Sequence, residues 1–114
     1  MKMKKFLCFS LAALLLACKS NTEQDMSTLN LTQEWDKTFP KSELVNHCKV
    51  TFHNRYGIEL AADMYVPKDA AGKLPAIAVS GPFGAVKEQS SGLYAQHMAE
   101  RGFVTVAFDP SYTG

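Results

Sequence analysis

From residue 49 onward, apolar and polar side chains alternate with a period of two. Val50 and Phe52 are interleaved with Lys49, Thr51 and His53, and Ile58, Leu60, Ala62, Met64 and Val66 with Glu59, Ala61, Asp63 and Tyr65. Successive residues of a strand point to opposite faces, so this pattern predicts two half-buried strands. Between them, Asn54-Arg55-Tyr56-Gly57 predicts a hairpin connection, because Asn and Gly take positive φ at low cost. After a polar turn region over residues 67–75, the run Ala76-Ile77-Ala78-Val79 is apolar on both faces. That predicts a central strand covered by helices on each side. A loop over residues 80–88 leads into a helix over 92–101, with Ser90 or Ser91 as its cap, Leu93, Tyr94 and Met98 facing inward, and Gly102 at a left-handed C-terminal position. Residues 103–108, Phe-Val-Thr-Val-Ala-Phe, are the next strand. Strand, helix and strand with connections this short form a right-handed βαβ unit and imply a parallel pair. The predicted class is therefore α/β: an antiparallel hairpin, then a parallel βαβ unit, in an incomplete sheet. One face and one edge are expected to stay open, which predicts that the isolated product is poorly soluble or unstable.

The N-terminal region has a different pattern. Residues 1–5 are basic, and residues 6–16 are apolar except for Ser10, a run of eleven. A hydrocarbon layer needs about 20 residues to cross, so the run reads as a secretory signal. It ends Leu15-Leu16-Ala17-Cys18, which resembles the lipobox of bacterial lipoproteins, where a diacylglycerol is attached to the cysteine. The resemblance implies cleavage after residue 17, lipidation at Cys18 and a membrane as partner through that lipid; the small residues also suit a plain signal peptidase. Lys19 is not the Asp that favours inner-membrane retention in enteric-type sorting. The expected location is thus the bacterial cell envelope, at the outer membrane or the periplasmic face of a membrane. The chain divides into a signal over 1–17, a tether and N-terminal extension over 18–48, and a domain over 49–114. Within the polar tether, Leu29, Leu31, Trp35 and Phe39 are spaced to form a short amphipathic turn that packs on the domain.

Cleavage would leave 97 of the 114 residues, enough for one small domain. It removes Lys2, Lys4 and Lys5, so twelve basic side chains become nine against eleven acidic and the formal charge passes from +1 to −2. A nearly neutral chain gives no electrostatic case for nucleic acid. With Cys8 in the signal and Cys18 lipidated, only Cys48 remains as a thiol, so no intrachain disulfide framework is available.

The hairpin ending Met64-Tyr65-Val66-Pro67, the strand and loop over 76–87, the helix end Ala99-Glu100-Arg101-Gly102-Phe103, and Phe108-Asp109-Pro110-Ser111-Tyr112-Thr113-Gly114 together resemble the start of the α/β-hydrolase fold. The resemblance is to exported hydrolases related to dienelactone hydrolase and to X-Pro dipeptidyl-peptidase-like domains, and it covers residues 50–114. It implies hydrolysis of an ester, thioester or amide through an acyl-enzyme, with a small molecule or peptide as substrate and no cofactor or metal. Gly81-Pro82-Phe83-Gly84 lies where that fold has its oxyanion loop, so Phe83 and Gly84 are the oxyanion-hole candidates. The family places its Ser or Cys nucleophile in a glycine-flanked elbow after a later strand, followed by an acid and a histidine, and this sequence contains no such elbow. No catalytic residue is therefore assigned. The polypeptide alone is expected to be inactive, as a truncated product, an incomplete gene model or a split-gene remnant. Two other readings remain: a non-catalytic lipoprotein completed by a partner chain through strand addition, and a non-functional remnant.

The remaining chemistry-bearing residues read more simply as structural. Cys48, next to His47 and near His53, offers three ligands at most where tetrahedral zinc needs about four, and it precedes the first predicted strand. His97 lies between polar neighbours on the predicted helix and reads as solvated. Lys87 and Glu88 read as solvated loop charges, with Glu88 able to serve the helix N-terminus, and Asp109, before Pro110, as a turn initiator. Ser80, Ser90 and Ser91 have no histidine placed to activate them.

Overall fold

A computed structural model describes residues 29–113. Strands β1 (Val45–His53), β2 (Glu59–Pro67), β3 (Ala76–Ser80) and β4 (Val104–Phe108) form one sheet in the order β1-β2-β4-β3, and a single helix, α1 (Ser90–Glu100), joins β3 to β4. β1 pairs antiparallel with β2, with Val50 opposite Ala62. β2 pairs antiparallel with β4, and β4 pairs parallel with β3. The hairpin and the βαβ unit are therefore those the period-two runs predict.

The details differ in four places. The hairpin turn is organised by the Asn54 side chain rather than by a positive φ there: its Oδ1 accepts from the N–H groups of Tyr56 (2.9 Å) and Ile58 (3.1 Å), and Gly57 alone takes positive φ, at 76°. β1 begins at Val45, four residues earlier than expected, so Cys48 lies within the strand, opposite Met64. β3 occupies an edge rather than the centre, and Ala76, Ala78 and Ser80 are exposed because no described element covers that side. The helix starts at Ser90, which places both Ser90 and Ser91 inside its first turn; Gln89 stands at the cap position and makes no capping hydrogen bond through its side chain.

The inward face of α1 also differs. Ser91, Gly92, Ala95, Gln96 and Ala99 are buried, whereas Leu93 and Tyr94 are exposed. Side-chain size, not hydrophobicity, selects this face, because the helix lies close against the sheet and the loop before it. A Cβ at Gly92 would sit 2.2 Å from the Lys87 carbonyl oxygen and 3.2 Å from both Phe39 and the Tyr65 hydroxyl. Ala95 and Ala99 pack with Val45, Tyr65 and Ala107 in the core, and Thr105 donates its hydroxyl to the Ala95 carbonyl at 2.8 Å. The helix ends as Gly102 requires. Its φ is 101°, Gly102 N–H bonds to Ala99 O at 3.1 Å, and Phe103 N–H reaches back to Met98 O at 3.3 Å, the paired bonds of a Schellman motif.

The segment before β1 packs on this same face. Gln96 donates to Pro40 O (3.0 Å) and accepts from Ser42 N–H (3.1 Å), and Thr38 N–H bonds to Glu88 O (3.0 Å). Trp35 donates its indole N–H to Phe39 O and meets His47 edge-on at 5.1 Å. Beneath it Asp63, fully buried, takes Lys37 Nζ at 3.0 Å and His47 Nε2 at 2.6 Å on one carboxylate oxygen. Asp36 pairs with both Lys37 and Lys49. Burial discourages the Asp36 charge, but the two ammonium groups outweigh it and hold its carboxyl at about 2. Burial pushes the neighbouring Tyr65 phenol up, and the Asp63 carboxylate adds to that shift. Of the apolar residues expected to pack here, Trp35 and Phe39 do, while Leu29 stays exposed.

The close approach at Gly92 gives the first prediction. Gly92→Ala must move backbone, not a flexible side chain, and is expected to destabilise the protein by about 3 kcal/mol, near the upper end of ordinary overpacking. Urea unfolding of the two proteins measures it; an alanine that leaves the midpoint unchanged would contradict the packing described.

Candidate functional site

Parallel pairing brings the C-terminal ends of β3 and β4 side by side, at Ser80 and Phe108. β2 runs the other way, so its opening residues and the hairpin tip come to the same end. In open α/β sheets this is the end where ligands bind, outside the carboxyl ends of the strands.

The loop between β3 and α1 is built here. Ala85 N–H bonds to Pro82 O at 3.0 Å, closing a turn with Phe83 and Gly84 at its centre. Gly84 has φ of 81°, the left-handed conformation that the third residue of such a turn needs and glycine supplies without strain. The Phe83 side chain is fully exposed, and among the described residues the backbone N–H groups of Phe83 and Gly84 have no acceptor. Gly81 lies next to Ser91 Oγ and Ala85, so the base of the loop rests on the first turn of α1.

The loop is fastened to the sheet by Asp109, the residue after β4. Its Oδ1 accepts from Lys87 N–H at 2.8 Å and its Oδ2 from Lys87 Nζ at 2.6 Å, while Lys87 Nζ also meets Glu88 Oε1 at 2.6 Å. Lys87 and Asp109 are 7 % and 3 % exposed. Neither Lys87 nor Glu88 is a solvated loop charge, and Asp109 does more than open a turn: it clamps the loop. Burial opposes the Lys87 charge most strongly, yet hydrogen bonds and attraction from Asp109 and Glu88 outweigh it and raise its pKa above 10.5. Asp109 N–H bonds to Ala61 O at 3.2 Å, which carries the fastening into β2. The turn beyond it closes through Thr113 N–H to Pro110 O, with exposed Tyr112 at φ 65°, and Asn54 Nδ2 donates to Ser111 Oγ at 3.0 Å.

The other candidates do not converge. His47 and Cys48 are successive residues of β1 and point to opposite faces, and His53 is exposed. His97 is on the surface against Glu100, 3.0 Å away. Ser80 is exposed at the end of β3, and among the described residues no serine hydroxyl is hydrogen-bonded to a histidine. No group of three His, Cys, Asp or Glu side chains comes together, and no helix is long and apolar enough to cross a membrane, both among the described residues. Cys18 lies outside the described residues, as do residues 1–17 of the expected signal. Sequence reasoning missed the Lys87–Asp109 clamp. Its one available signal was topological: a parallel pair places the loop after β3 beside the residue after β4.

The clamp predicts a stability pattern. Asp109→Ala leaves the Lys87 ammonium and its backbone N–H buried without that carboxylate and should cost about 3–5 kcal/mol, whereas Asp109→Asn, which keeps an acceptor, should cost less. Because the Lys87 pKa is raised in the folded state, its contribution is fully present below the unfolded value of 10.5 and is lost as pH rises through the folded value. Wild-type stability should therefore fall above pH 10.5 more steeply than that of Lys87→Met. Parallel pH dependence of the two proteins in urea titrations would count against the clamp.

Residues 56–111 match the X-Pro dipeptidyl-peptidase family (S15 family). The chain is 73 % identical over 96 residues to the uncharacterized protein PA2218 of Pseudomonas aeruginosa, a match covering 83 % of this chain and 26 % of that protein. It is 45 % identical over 71 residues to the uncharacterized protein YcjY of Escherichia coli strain K12, covering 60 % of this chain and 23 % of that one. The crystal structure of the Pseudomonas protein superposes with a TM-score of 0.75 at 75 % identity, covering 77 % of this chain and 28 % of that chain. Brefeldin A esterase, described as a bacterial homologue of human hormone-sensitive lipase, superposes with a TM-score of 0.51 at 19 % identity, covering 90 % and 28 %; that likeness shows the fold. The chain thus spans about a quarter of the length of the relatives it matches. Residues 56–111 are thus similar to the X-Pro dipeptidyl-peptidase (S15) family, and the mixed four-stranded sheet with helix α1 has the fold of part of an α/β hydrolase.

Proposed function

We propose that this chain supplies the opening strands and the oxyanion-stabilising loop of an exported α/β hydrolase that cleaves an ester, thioester or amide through a covalent acyl-enzyme. The observation that carries the reading is the loop at the sheet's ligand-binding end. Two backbone N–H groups, of Phe83 and Gly84, have no acceptor among the described residues, in a turn fastened at Lys87 to the buried Asp109. Donors held in place before the reaction are what a tetrahedral oxyanion needs, since no rearrangement is then required as charge develops. The family match and the esterase-like fold favour acyl transfer as the reaction class.

On this reading the chain contributes donors and no nucleophile. It has no glycine-flanked Ser or Cys of the elbow type. Without a triad, an oxyanion hole and binding leave a residual effect of ~10³ to 10⁴ over water, far below a complete enzyme. Cys18 carries the lipid that holds the protein on the cell envelope; two or three acyl chains at ~0.8 kcal/mol per buried CH₂ make that attachment effectively permanent.

Reading the coding DNA past the Gly114 codon, together with the intact mass of the expressed protein, tests the enzyme reading. A frame running on into a glycine-flanked Ser or Cys, then Asp and His, is the expected result. A stop at that codon with a matching mass would end the enzyme reading for this polypeptide. The 114-residue chain itself should release 4-nitrophenolate from 4-nitrophenyl acetate at no more than that residual rate and without a burst, and a stoichiometric burst would show a nucleophile this reading denies. Labelled palmitate should enter the wild-type protein in a bacterial host and not Cys18→Ser; equal labelling of both would remove the anchor.

A further inference from the structure

Three turns lie side by side at the end of the sheet where β3 and β4 finish, and each carries an exposed aromatic side chain: Tyr56 at the hairpin tip, Tyr112 after β4 and Phe83 after β3. Because β4 lies between β2 and β3, the Tyr112 turn stands between the other two. Asn54 Nδ2 holds it to the hairpin tip through Ser111 Oγ at 3.0 Å, and Asp109, just before it, holds the loop after β3 through Lys87. The Phe83 and Tyr112 turns are built alike. Each is closed by a hydrogen bond from its fourth residue to its first, Ala85 to Pro82 and Thr113 to Pro110, with positive φ at its third. Such a turn asks for glycine at the third position, and the first has Gly84 there, at 81°. The second has Tyr112, at 65°, the one residue other than glycine with positive φ among the described residues. A bulky side chain is strained in this conformation, and strain of this kind persists where the surrounding structure over-determines it, characteristically at ligand sites. Burial does not offset it, since the Tyr112 side chain is exposed. Of the charged groups at this end, Asp109 and Glu88 are both on Lys87, and the Arg55 guanidinium lies over the Tyr56 ring at 5.9 Å. What the three turns present outward is ring surface, beside the backbone N–H groups of Phe83 and Gly84.

We propose that Tyr112 is a specificity-determining residue of the hydrolase site, and that with Phe83 and Tyr56 it receives an uncharged aromatic group of the substrate. The inference rests on the hydrolase reading of the Phe83–Gly84 turn and adds a substrate class to it: an ester, thioester or amide that carries a ring close to its carbonyl. A carbonyl held at the N–H groups of that turn brings the group attached to it against the adjoining turn, where Tyr112 stands. Rings attract rings through their quadrupoles beyond what apolar burial supplies, and tyrosine offers a large contact area with few torsions to freeze. Glycine at residue 112 would relieve the backbone and remove the middle member of this aromatic row, so the strain and the exposed ring have one explanation between them.

The test titrates the full 114-residue chain with three ligands that share an ethyl group, and reads binding by saturation transfer from the protein to that group in proton NMR. The monoanion of ethyl benzylphosphonate joins a ring to a tetrahedral oxyanion, the monoanion of ethyl methylphosphonate lacks the ring, and ethyl phenylacetate has the ring on a planar carbonyl. Ethyl benzylphosphonate should bind about 5-fold more tightly than ethyl methylphosphonate, the size of one aromatic contact. Tyr112→Phe should keep that preference and Tyr112→Gly should lose it. The midpoint of urea unfolding of Tyr112→Gly should be no lower than that of the wild type, because relief of strain offsets the added freedom of the unfolded chain. A lowered midpoint would overturn the proposal in favour of a purely structural tyrosine. A preference that survives Tyr112→Gly, or no binding of any of the three, would also overturn it. Equal binding of the two phosphonates, both tighter than ethyl phenylacetate, would overturn the aromatic contact and leave the oxyanion reading standing. Ethyl benzylphosphonate binding no more tightly than ethyl phenylacetate, with the ring preference intact, would sink the oxyanion reading and leave the aromatic contact standing.

Discussion

The carboxylate of Asp109 fixes the position of Lys87 twice, through the backbone N–H and through the ammonium, and the architecture at the ligand end of the sheet depends on that double hold. Taking both charges out of water is costly, and the cost is offset only when geometry is good and the other hydrogen-bonding capacity is used. Both conditions are met: each carboxylate oxygen has a donor, and the ammonium has Glu88 as a second partner. On its other side the Lys87 carbonyl abuts Gly92, where any side chain would collide with it. Glu88 O accepts from Thr38 of the N-terminal segment. Sheet, helix and N-terminal segment thus hold one short stretch from three directions, and the turn at Phe83–Gly84 projects from a fixed base.

The N-terminal segment is as much a part of this core as the strands are. Lys37 is buried, and its ammonium answers Asp63, which would otherwise lie at the centre of the sheet with His47 alone. Gln96 uses both ends of its amide on Pro40 and Ser42. A polar network on a covered face is stable to the extent that its members are paired; here residues 36–42 bring partners to Asp63 Oδ1, Lys49 and Gln96, while Asp63 Oδ2 and the Tyr65 hydroxyl have none among the described residues. That explains how a sheet can carry Asp63, Lys49 and Thr105 inward and still pack, and why the segment reads as a polar tether in sequence while acting as a lid in structure.

Local signals were legible and long-range ones were not. The hairpin, the βαβ order and the Gly102 terminus could be read directly because each is decided within a few residues by period, turn chemistry or a left-handed requirement. The inward face of α1 could not. Leu93 and Tyr94 are the apolar choice, but the approach distance at Gly92 admits only small side chains, and distance is a property of the packed pair of layers. The clamp joins residues 22 apart through the adjacency of two parallel strand ends, which no window of sequence contains. The edge position of β3 was hidden for a related reason: an apolar run shows that both faces are destined for cover, not which neighbours are within reach. Phe83 and Gly84 were marked as oxyanion-hole candidates by family resemblance alone; what the sequence withheld was the fastening of the loop that carries them.

The strand register places the row Cys48–Met64–Val106–Ala78 on the face of the sheet opposite α1. All three holds on the loop over residues 81–88 lie on the α1 side of the sheet or at its end, and none uses a residue of the apolar row Cys48–Met64–Val106–Ala78. Covering that apolar face therefore need not rearrange the loop. On the hydrolase reading, the oxyanion donors owe their position to holds on the α1 side and end of the sheet, and a nucleophile has only to be brought within reach of them. Organisation before contact lowers the entropic cost of bringing the reacting groups together, which is where much of the catalytic advantage of a positioned site arises. The same independence means that damage to the clamp and changes on the apolar row should be separable: the first loosens the loop without altering the row, and the second leaves the holds on the loop intact.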